Sequence, residues 1–394
     1  MSQCRLTPLV MVALWAAMSS APQGQARPRA RDLGVPFEGT PGPLNAITDV
    51  AGVAVGHATI VTGEGPLVIG KGPVRTGVTA VLPRGRDTLQ KPSFGGWFSL
   101  NGNGEMTGTT WVEESGFLEG PVLITNTHSV GVVRDAAISW RLKAGPPDPS
   151  GFWWALPVVA ETWDGYLNDI NGMHVKPEHV FRALDEAAGG RVSEGSVGGG
   201  TGMVCYGFKG GIGTASRRLG QKAGGYTVGV LLQANFGTRR QLMVAGVPVG
   251  REIAESDARD GVGAAEAGSV IVVAATDAPL LPHQLKRLAR RVSLGLARTG
   301  ALSGNGSGDI FIAFSTANPG AFTASGLAKV EMVSNEGISP LFDATALATE
   351  EAVINALVAS DTMTGVNNRR VIGLPHDRLR EVLRKYNRLV NPAS

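Results

Sequence analysis

Glu266-Ala267-Gly268-Ser269-Val270-Ile271 is the stretch on which the reading of this chain turns. A charged, aperiodic run from Arg251 to Gly263 leads into it. The β-branched run Val270-Ile271-Val272-Val273 and a turn at Asp277-Ala278-Pro279 follow, so Ser269 stands at a loop-to-strand junction. If the Gly268–Ser269 bond is cut internally, Ser269 carries both a hydroxyl nucleophile and a free α-amine to act as its base, the logic of N-terminal nucleophile enzymes. An α-amine with a pKa near 7.8 is roughly one-tenth free base at pH 7, whereas a lysine near 10.4 offers about one part in a few thousand. Glycine before the serine permits backbone geometry that suits attack on its own preceding carbonyl. Gly-Ser before a strand is also common punctuation, so these six residues leave both readings open.

Bulk properties narrow the field. The 394 residues suffice for two or three average domains or for one large α/β enzyme, and 43% hydrophobic against 18% charged residues supplies a sizeable core. Fifty-five glycines, about twice the usual share, predict many tight turns and close backbone approaches. A net charge of only +3, with no basic stripe interleaved with aromatics, argues against a nucleic-acid partner. Residues 1–26 read as an export signal: a basic start to Arg5, an apolar run from Leu6 to Ala17, then small residues through Ala26. That run is short for a stable membrane anchor and reads alternatively as a buried first helix. Its removal takes Cys4 away and leaves Cys205 alone, so the mature chain has no internal disulfide.

Taken in order, Arg27 to Pro43 reads as an extended arm. Strands are expected at Asn45–Val50, Val53–His57, Thr76–Leu82, Pro121–Thr125, Leu156–Ala160, Thr227–Gln233, from Ser269 onward and at Ile310–Phe314. Helices are expected at Val130–Leu142, Pro177–Ala188, His283–Ala297, Glu350–Ala359 and His376–Tyr386, with Pro177, Pro282 and Pro375 near their starts. Strands thus mostly pair with strands in layered sheets with helices outside, and residues 251–268 make a flexible linker.

The polar motifs are individually weak. Ser307 and Asp309 alternate around Gly308 at the start of a strand, so their side chains point the same way and can form a hydroxyl–carboxylate pair, or belong to a polar turn. Glu161 ends a strand beside Trp163, where it can hold a substrate ammonium or merely cap the turn; Asn235 can donate its amide to an oxyanion or to a turn. Gly198-Gly199-Gly200-Thr201-Gly202 and Phe208 to Thr214 lack the ordered lysine and hydroxyl of a phosphate loop and read as close backbone packing around a site. No Gly-x-Ser-x-Gly elbow or His-Glu-x-x-His pair occurs, so a triad through His57 or His128 is unmotivated and no metal site is expected.

Seven motifs in order carry a resemblance. They are Asn-Ala-Ile-Thr-Asp-Val at 45–50, Arg-Thr-Gly-Val-Thr-Ala-Val at 75–81, Thr-Asn-Thr-His-Ser-Val-Gly at 125–131, Val-Val-Ala-Glu-Thr-Trp-Asp-Gly at 158–165, Gly-Gly-Gly-Thr-Gly-Met at 198–203, Gly-Ser-Val-Ile-Val-Val at 268–273 and Asn-Gly-Ser-Gly-Asp-Ile-Phe at 305–311. Together they resemble the DmpA/BapA family of self-processing aminopeptidases, from about Asn45 to the C-terminal region.

The resemblance implies a four-layer αββα sandwich, of the type shared with ornithine acetyltransferase and related in architecture to N-terminal nucleophile hydrolases. It also implies autocleavage into an α chain (27–268) and a β chain (269–394) of one catalytic domain. Ser269 is then the nucleophile, Ser307 and Asp309 assist it, Asn235 serves the oxyanion and Glu161 holds the substrate's free amine. Trp163 stands where a tyrosine is expected in relatives, and an indole donates a hydrogen bond but cannot accept or shuttle a proton. The expected enzyme needs no cofactor, is exported to the periplasm, assembles as a tetramer of αβ units, and acts on small peptides or amino-acid amides. β-Amino N termini are the leading substrate; L-amino-acid amides and D-amino-acid amides or esters are the alternative. An acetyltransferase of related fold is less consistent with a serine at position 269, and a non-enzymatic binding protein would leave Ser269 a turn residue.

Overall fold

A computed structural model of the chain describes residues 27–144, 154–253, 268–323 and 325–391. The export signal and most of the linker, expected at 1–26 and 251–268, lie outside them. Among the described residues fourteen strands build two sheets and two small hairpins: β1 Ala54–Thr62, β2 Val74–Arg86, β3 Ser93–Ser99, β4 Phe117–Leu118, β5 Val122–Asn126, β6 Val158–Thr162, β7 Val204–Cys205, β8 Phe208–Lys209, β9 Gly211–Arg218, β10 Thr227–Asn235, β11 Ser269–Thr276, β12 Gly308–Ser315, and the pair β13 Met363–Thr364 and β14 Arg370–Val371. One sheet has the order β1-β2-β5-β6 and the other β4-β3-β12-β11-β10-β9, while β7 and β8 pair with each other. The helices are α1 Thr109–Ser115, α2 Val130–Ala144, α3 Pro177–Asp185, α4 Val249–Glu252, α5 Pro282–Arg298, α6 Ser339–Val358 and α7 His376–Lys385.

Three apolar cores show the layering. Along β11, Val270, Val272 and Ala274 pack with Leu285, Leu288 and Val292 of α5 and Val353 and Leu357 of α6, while Ile271, Val273 and Ala275 face Val122, Ile124 and Val158 of the other sheet. The outer face of that second sheet, Val78, Ala80, Leu123 and Val159, is covered by Val133 and Ala137 of α2 and Val180 and Leu184 of α3. Strands buried on both faces lose the usual alternation of apolar and polar residues, which is why β11 reads as a continuous apolar run. The arrangement is the αββα sandwich that the resemblance implies.

Several local expectations need correction. Asn45–Val50 is not a strand: residues Ile47–Asp49 form a 3-10 turn, because the Asp49 carboxylate accepts the Leu44 and Ala46 amides and gathers the backbone around itself. The helix expected at Glu350 begins instead at Ser339, with Pro340 in its first turn. Its first half was hidden because α6 is apolar on nearly every side and shows no periodicity. β3 was concealed by Gly95 and Gly96, where α5 lies so close that a Cβ at Gly96 would collide with the Lys286 amide. The arm after Arg27 carries a short 3-10 turn, Ala30–Leu33, and is pinned to α6 by Arg31, whose guanidinium meets both oxygens of Glu351 at 2.8 Å.

Between the sheets lies the turn Gly198–Met203. A Cβ at Gly199 would strike Gln233 of β10 and Ile124 of β5, one at Gly200 the backbone of β9, and one at Gly202 the Arg75 carbonyl of β2. Only glycine permits this approach, as the sequence reading of close packing anticipated. Under the turn, His57 Nδ1 meets Thr79 Oγ1 at 3.0 Å and its Nε2 is buried; burial pushes its pKa down to about 4. Between pH 6.5 and 4 the unfolded chain therefore takes up a proton there that the folded chain refuses, so stability falls as pH drops through that window. Thermal unfolding followed against pH should show the wild type losing more stability over this range than His57→Gln, by up to ~1.4 kcal/mol per pH unit.

Candidate active site

The site assembles at one end of the larger sheet, where β10, β11 and β12 meet. Asn235 closes β10 and pairs directly with Ser269, the first residue of β11, in antiparallel register; Ser269 in turn aligns with Gly308 at the start of parallel β12. Opposed residues of an antiparallel pair share a face, so the Asn235 and Ser269 side chains emerge together. By the alternation along β11, Ser269 lies on the face of Ile271 and Val273, toward the second sheet. A Cβ at Gly268 would collide with the Asn235 carbonyl, so only glycine fits before the serine. The Gly268 carbonyl accepts a hydrogen bond from the Gly308 amide at 3.2 Å.

Ser307 and Asp309 flank Gly308, and the Ser307 hydroxyl donates to Asp309 Oδ1 at 2.6 Å, the pairing expected from their alternation. Asp309 is held by its own amide, which donates to Asn101 Oδ1 at 2.8 Å. From the opposite sheet, Glu161 near the end of β6 aligns with Thr125 of β5. Its carboxylate accepts the Thr127 hydroxyl at 2.5 Å and the Glu105 amide at 3.0 Å. A Cβ on Gly104 would stand 3.1 Å from Gly308 Cα and 3.3 Å from Glu161 Oε1, so a single glycine separates the carboxylate from the Ser307–Asp309 corner.

Asn235 ties the two sheets together. Its Nδ2 donates to the Trp163 carbonyl at 2.8 Å, and its Oδ1 accepts the Val204 amide at 2.8 Å. These partners fix which end of the amide is the NH2 and leave its second N–H uncommitted to them. Ser269, Asn235, Ser307, Asp309 and Glu161 are all buried, whereas Trp163 is 44% exposed and its indole packs over Gly165. The structure thus brings the five polar residues and Gly268 to one corner, with Trp163 contributing its carbonyl there and its ring to the rim.

Sequence reasoning missed the residues that hold this set in place. Thr127 lay inside the quoted motif at 125–131 without a role of its own; its place three residues after the apolar run ending at Ile124 was the available signal. Burial raises the pKa of Glu161, opposed by the hydrogen bonds from Thr127 and Glu105. Lys209, wholly buried among glycines, was read only as part of a failed phosphate loop. Among the described residues no cluster of three or more His, Cys, Asp or Glu is arranged to hold a metal ion, and no helix is long and apolar enough to cross a membrane.

Comparison with known proteins places this geometry. Residues 45–371 match peptidase family S58. The chain is 54% identical over 395 residues to the β-peptidyl aminopeptidase BapA of Sphingosinicella microcystinivorans, covering 97% of this chain and 98% of that protein. Among solved structures it is similar to a Burkholderia sp. β-aminopeptidase, at 49% identity with a TM-score of 0.82 over 91% of this chain and 98% of the other. It is equally similar in sequence, at 49%, to the L-aminopeptidase D-Ala-esterase/amidase of Ochrobactrum anthropi, a serine aminopeptidase with a variant of the Ntn hydrolase fold, with a TM-score of 0.84 over 92% of this chain and all of that one.

The ionisation of Glu161 is open to direct measurement. Replacing Thr127 by valine removes a hydroxyl that stabilises the charged carboxylate, so the Glu161 pKa should rise further. Carbon-13 NMR titration of glutamate-labelled protein should show this shift at one resonance; an unchanged titration would mean that the Thr127 contact contributes nothing.

Proposed function

The chain belongs to peptidase family S58 and is a serine aminopeptidase of the N-terminal nucleophile type; we propose that its precursor is cut between Gly268 and Ser269 and that the mature enzyme releases β-amino acids from the N termini of peptides and amides. The observation that carries this reading is the placement of Ser269 at the head of a central strand, with Asn235 opposite and the Gly268 carbonyl on the Gly308 amide. That amide polarises the carbonyl which Ser269 Oγ must attack, and it remains in place to share the negative charge that develops on its oxygen. Attack converts the peptide bond to an ester on Ser269; water then releases Gly268 as a carboxylate and leaves Ser269 with a free α-amine.

In the mature enzyme the same hydroxyl attacks the substrate's amide carbonyl. The α-amine takes the hydroxyl proton and passes it to the departing amine, leaving an acyl ester that water hydrolyses by the reverse use of the same base. Ser307 spends its proton on Asp309, so its oxygen is left as an acceptor able to hold an N–H of the α-amine and aim its lone pair at Oγ. The uncommitted N–H of Asn235 serves the oxyanion. Glu161 takes the substrate's ammonium, with Thr127 and the Glu105 amide stabilising the carboxylate in its charged form despite burial.

The β-amino preference rests on the BapA relative; the O. anthropi enzyme's name carries the alternative, L-amino-acid peptides and D-alanine esters or amides. Trp163, at the rim, is placed to shape this choice through its ring rather than through proton transfer. The composition of residues 1–26 supports export to the periplasm, and exposed apolar residues such as Ile69, Phe322 and Leu327 support assembly of αβ units into a tetramer.

Intact-mass measurement of the wild type beside Ser269→Ala tests the processing step. Two wild-type fragments meeting at Gly268/Ser269, and one uncut inactive variant chain, are expected; an uncut wild type that is nonetheless active removes the α-amine from the mechanism. Glu161→Gln should raise KM for amino-terminal substrates by about 10-fold or more, the cost of losing a buried charge-assisted contact, while self-cleavage proceeds. Equal impairment of cleavage and turnover would instead place Glu161 in the chemistry itself.

A further inference from the structure

Lys209 is a buried ionisable side chain that the proposed mechanism leaves unused. It sits on β8 with no solvent exposure, and its ammonium donates to three main-chain carbonyls: Gly210 at 2.8 Å, Met203 at 2.9 Å and Gly200 at 3.4 Å. Three carbonyls match the three N–H donors of an ammonium, the arrangement that makes a buried cation tolerable. Two of them belong to the glycine turn between the sheets, which has almost no side chains with which to hold its own shape. The residue after Met203 is Val204, whose amide is the donor that fixes Asn235 Oδ1.

We propose that Lys209 is a positioning residue: by clamping the carbonyls of Gly200 and Met203 it fixes the Val204 amide, and through that amide the direction in which Asn235 presents its free N–H to the oxyanion. This inference rests on the assignment of Asn235 to the oxyanion. The chain of contacts is short and each link is directional. Met203 receives a second donor, the Gly210 amide at 2.9 Å, so its peptide plane is held from two sides, and Val204 begins at that plane. The ionisable groups facing Lys209 are Asp164, from the loop after β6, and the Cys205 thiol on β7. Burial pushes the Lys209 pKa down to about 7, a shift that Asp164 opposes, and pushes Cys205 up to about 12, so the thiol stays neutral. Asp164 follows Trp163 directly, and the Trp163 carbonyl is Asn235's other partner. The Trp163 carbonyl thus lies one residue before Asp164, and the Val204 amide shares its peptide plane with the Met203 carbonyl that Lys209 holds.

The test compares two inhibitors of the mature enzyme that differ only at the reacting carbon: a β-amino aldehyde, which adds Ser269 to form a tetrahedral oxyanion mimic, and the matching β-amino alcohol, which engages only the ammonium subsite. Lys209→Met should weaken the aldehyde by about 10-fold or more and lower kcat in proportion, as misaligning an oxyanion donor does, while the alcohol and KM stay within about two-fold of wild type. Lys209→Gln, which keeps donors for two carbonyls, should lie between, and it carries the comparison if the methionine variant does not fold. Weakening of both inhibitors in step would show general distortion and overturn the proposal, as would no change in either. Asn235→Ala, measured alongside, separates the two assignments. If its aldehyde affinity equals that of wild type, the oxyanion role of Asn235 falls; if it drops while Lys209→Met does not, only the role of Lys209 falls.

Discussion

The site depends on one register: Asn235 opposite Ser269, and Ser269 beside Gly308. Side chains alternate along a strand, so a slip of one residue in either pairing would turn Ser269 or Asn235 away from the inter-sheet face. What prevents the slip is the volume of apolar side chain on both faces of β11. Val270, Val272 and Ala274 are fitted to the α5/α6 layer, and Ile271, Val273 and Ala275 to the second sheet, so displacement would expose or overpack both cores at once. The geometry of the proposed site is thus set by apolar residues outside it, and the polar groups occupy the strand ends, where that packing stops.

The second constraint is how closely the two sheets approach. A turn of nearly bare backbone, Gly198 to Met203, fills the space between β2, β5, β9 and β10, and backbone brings carbonyls and amides that must be satisfied. Thr79 takes the Gly199 amide, Thr59 the Gly198 amide, and Lys209 the Gly200 and Met203 carbonyls. A larger residue there would force the sheets apart and open the distance between Glu161 on one and Ser269 on the other. The close backbone packing expected of these glycines is in this region a condition for bringing the polar groups of two sheets to one corner.

Much of this was legible in the sequence, for reasons that differ by residue. The β11 run and the helices α3, α5 and α7 were readable because their signals are local: a β-branched stretch after glycine, a proline in the first turn of α3 and α5, or a proline just before α7. The Ser307–Asp309 contact followed from alternation around Gly308. The meeting of Glu161 with that corner was not derivable from spacing, since it crosses from one sheet to the other, and it entered only through resemblance. β3 escaped because Gly95 and Gly96 at its centre carry no strand signal, and the first half of α6 because its small and apolar residues run round the helix without periodicity. Lys209 escaped because a lysine's usual place is the surface, and its partners are carbonyls, which leave no mark in a sequence.

The buried ionisable groups show where stability gives way to function. Glu161, Asp164 and Lys209 each pay for desolvation, with Asp164 raised to about 7 and Lys209 lowered to about 7, and apolar residues of equal volume would generally hold such a core as well or better. Each is instead surrounded by directional partners: a hydroxyl and an amide on Glu161, Asn168 on Asp164, three carbonyls on Lys209. Groups so placed constrain orientation more than they add stability. Of the two that touch nothing in contact with Ser269, Asp164 directly follows Trp163, whose carbonyl orients Asn235, and Lys209 holds the Met203 carbonyl, which shares a peptide plane with the Val204 amide on Asn235. Their cost in desolvation is therefore most simply matched to a gain in the preorganisation of that single amide, which a purely apolar core would leave free to rotate.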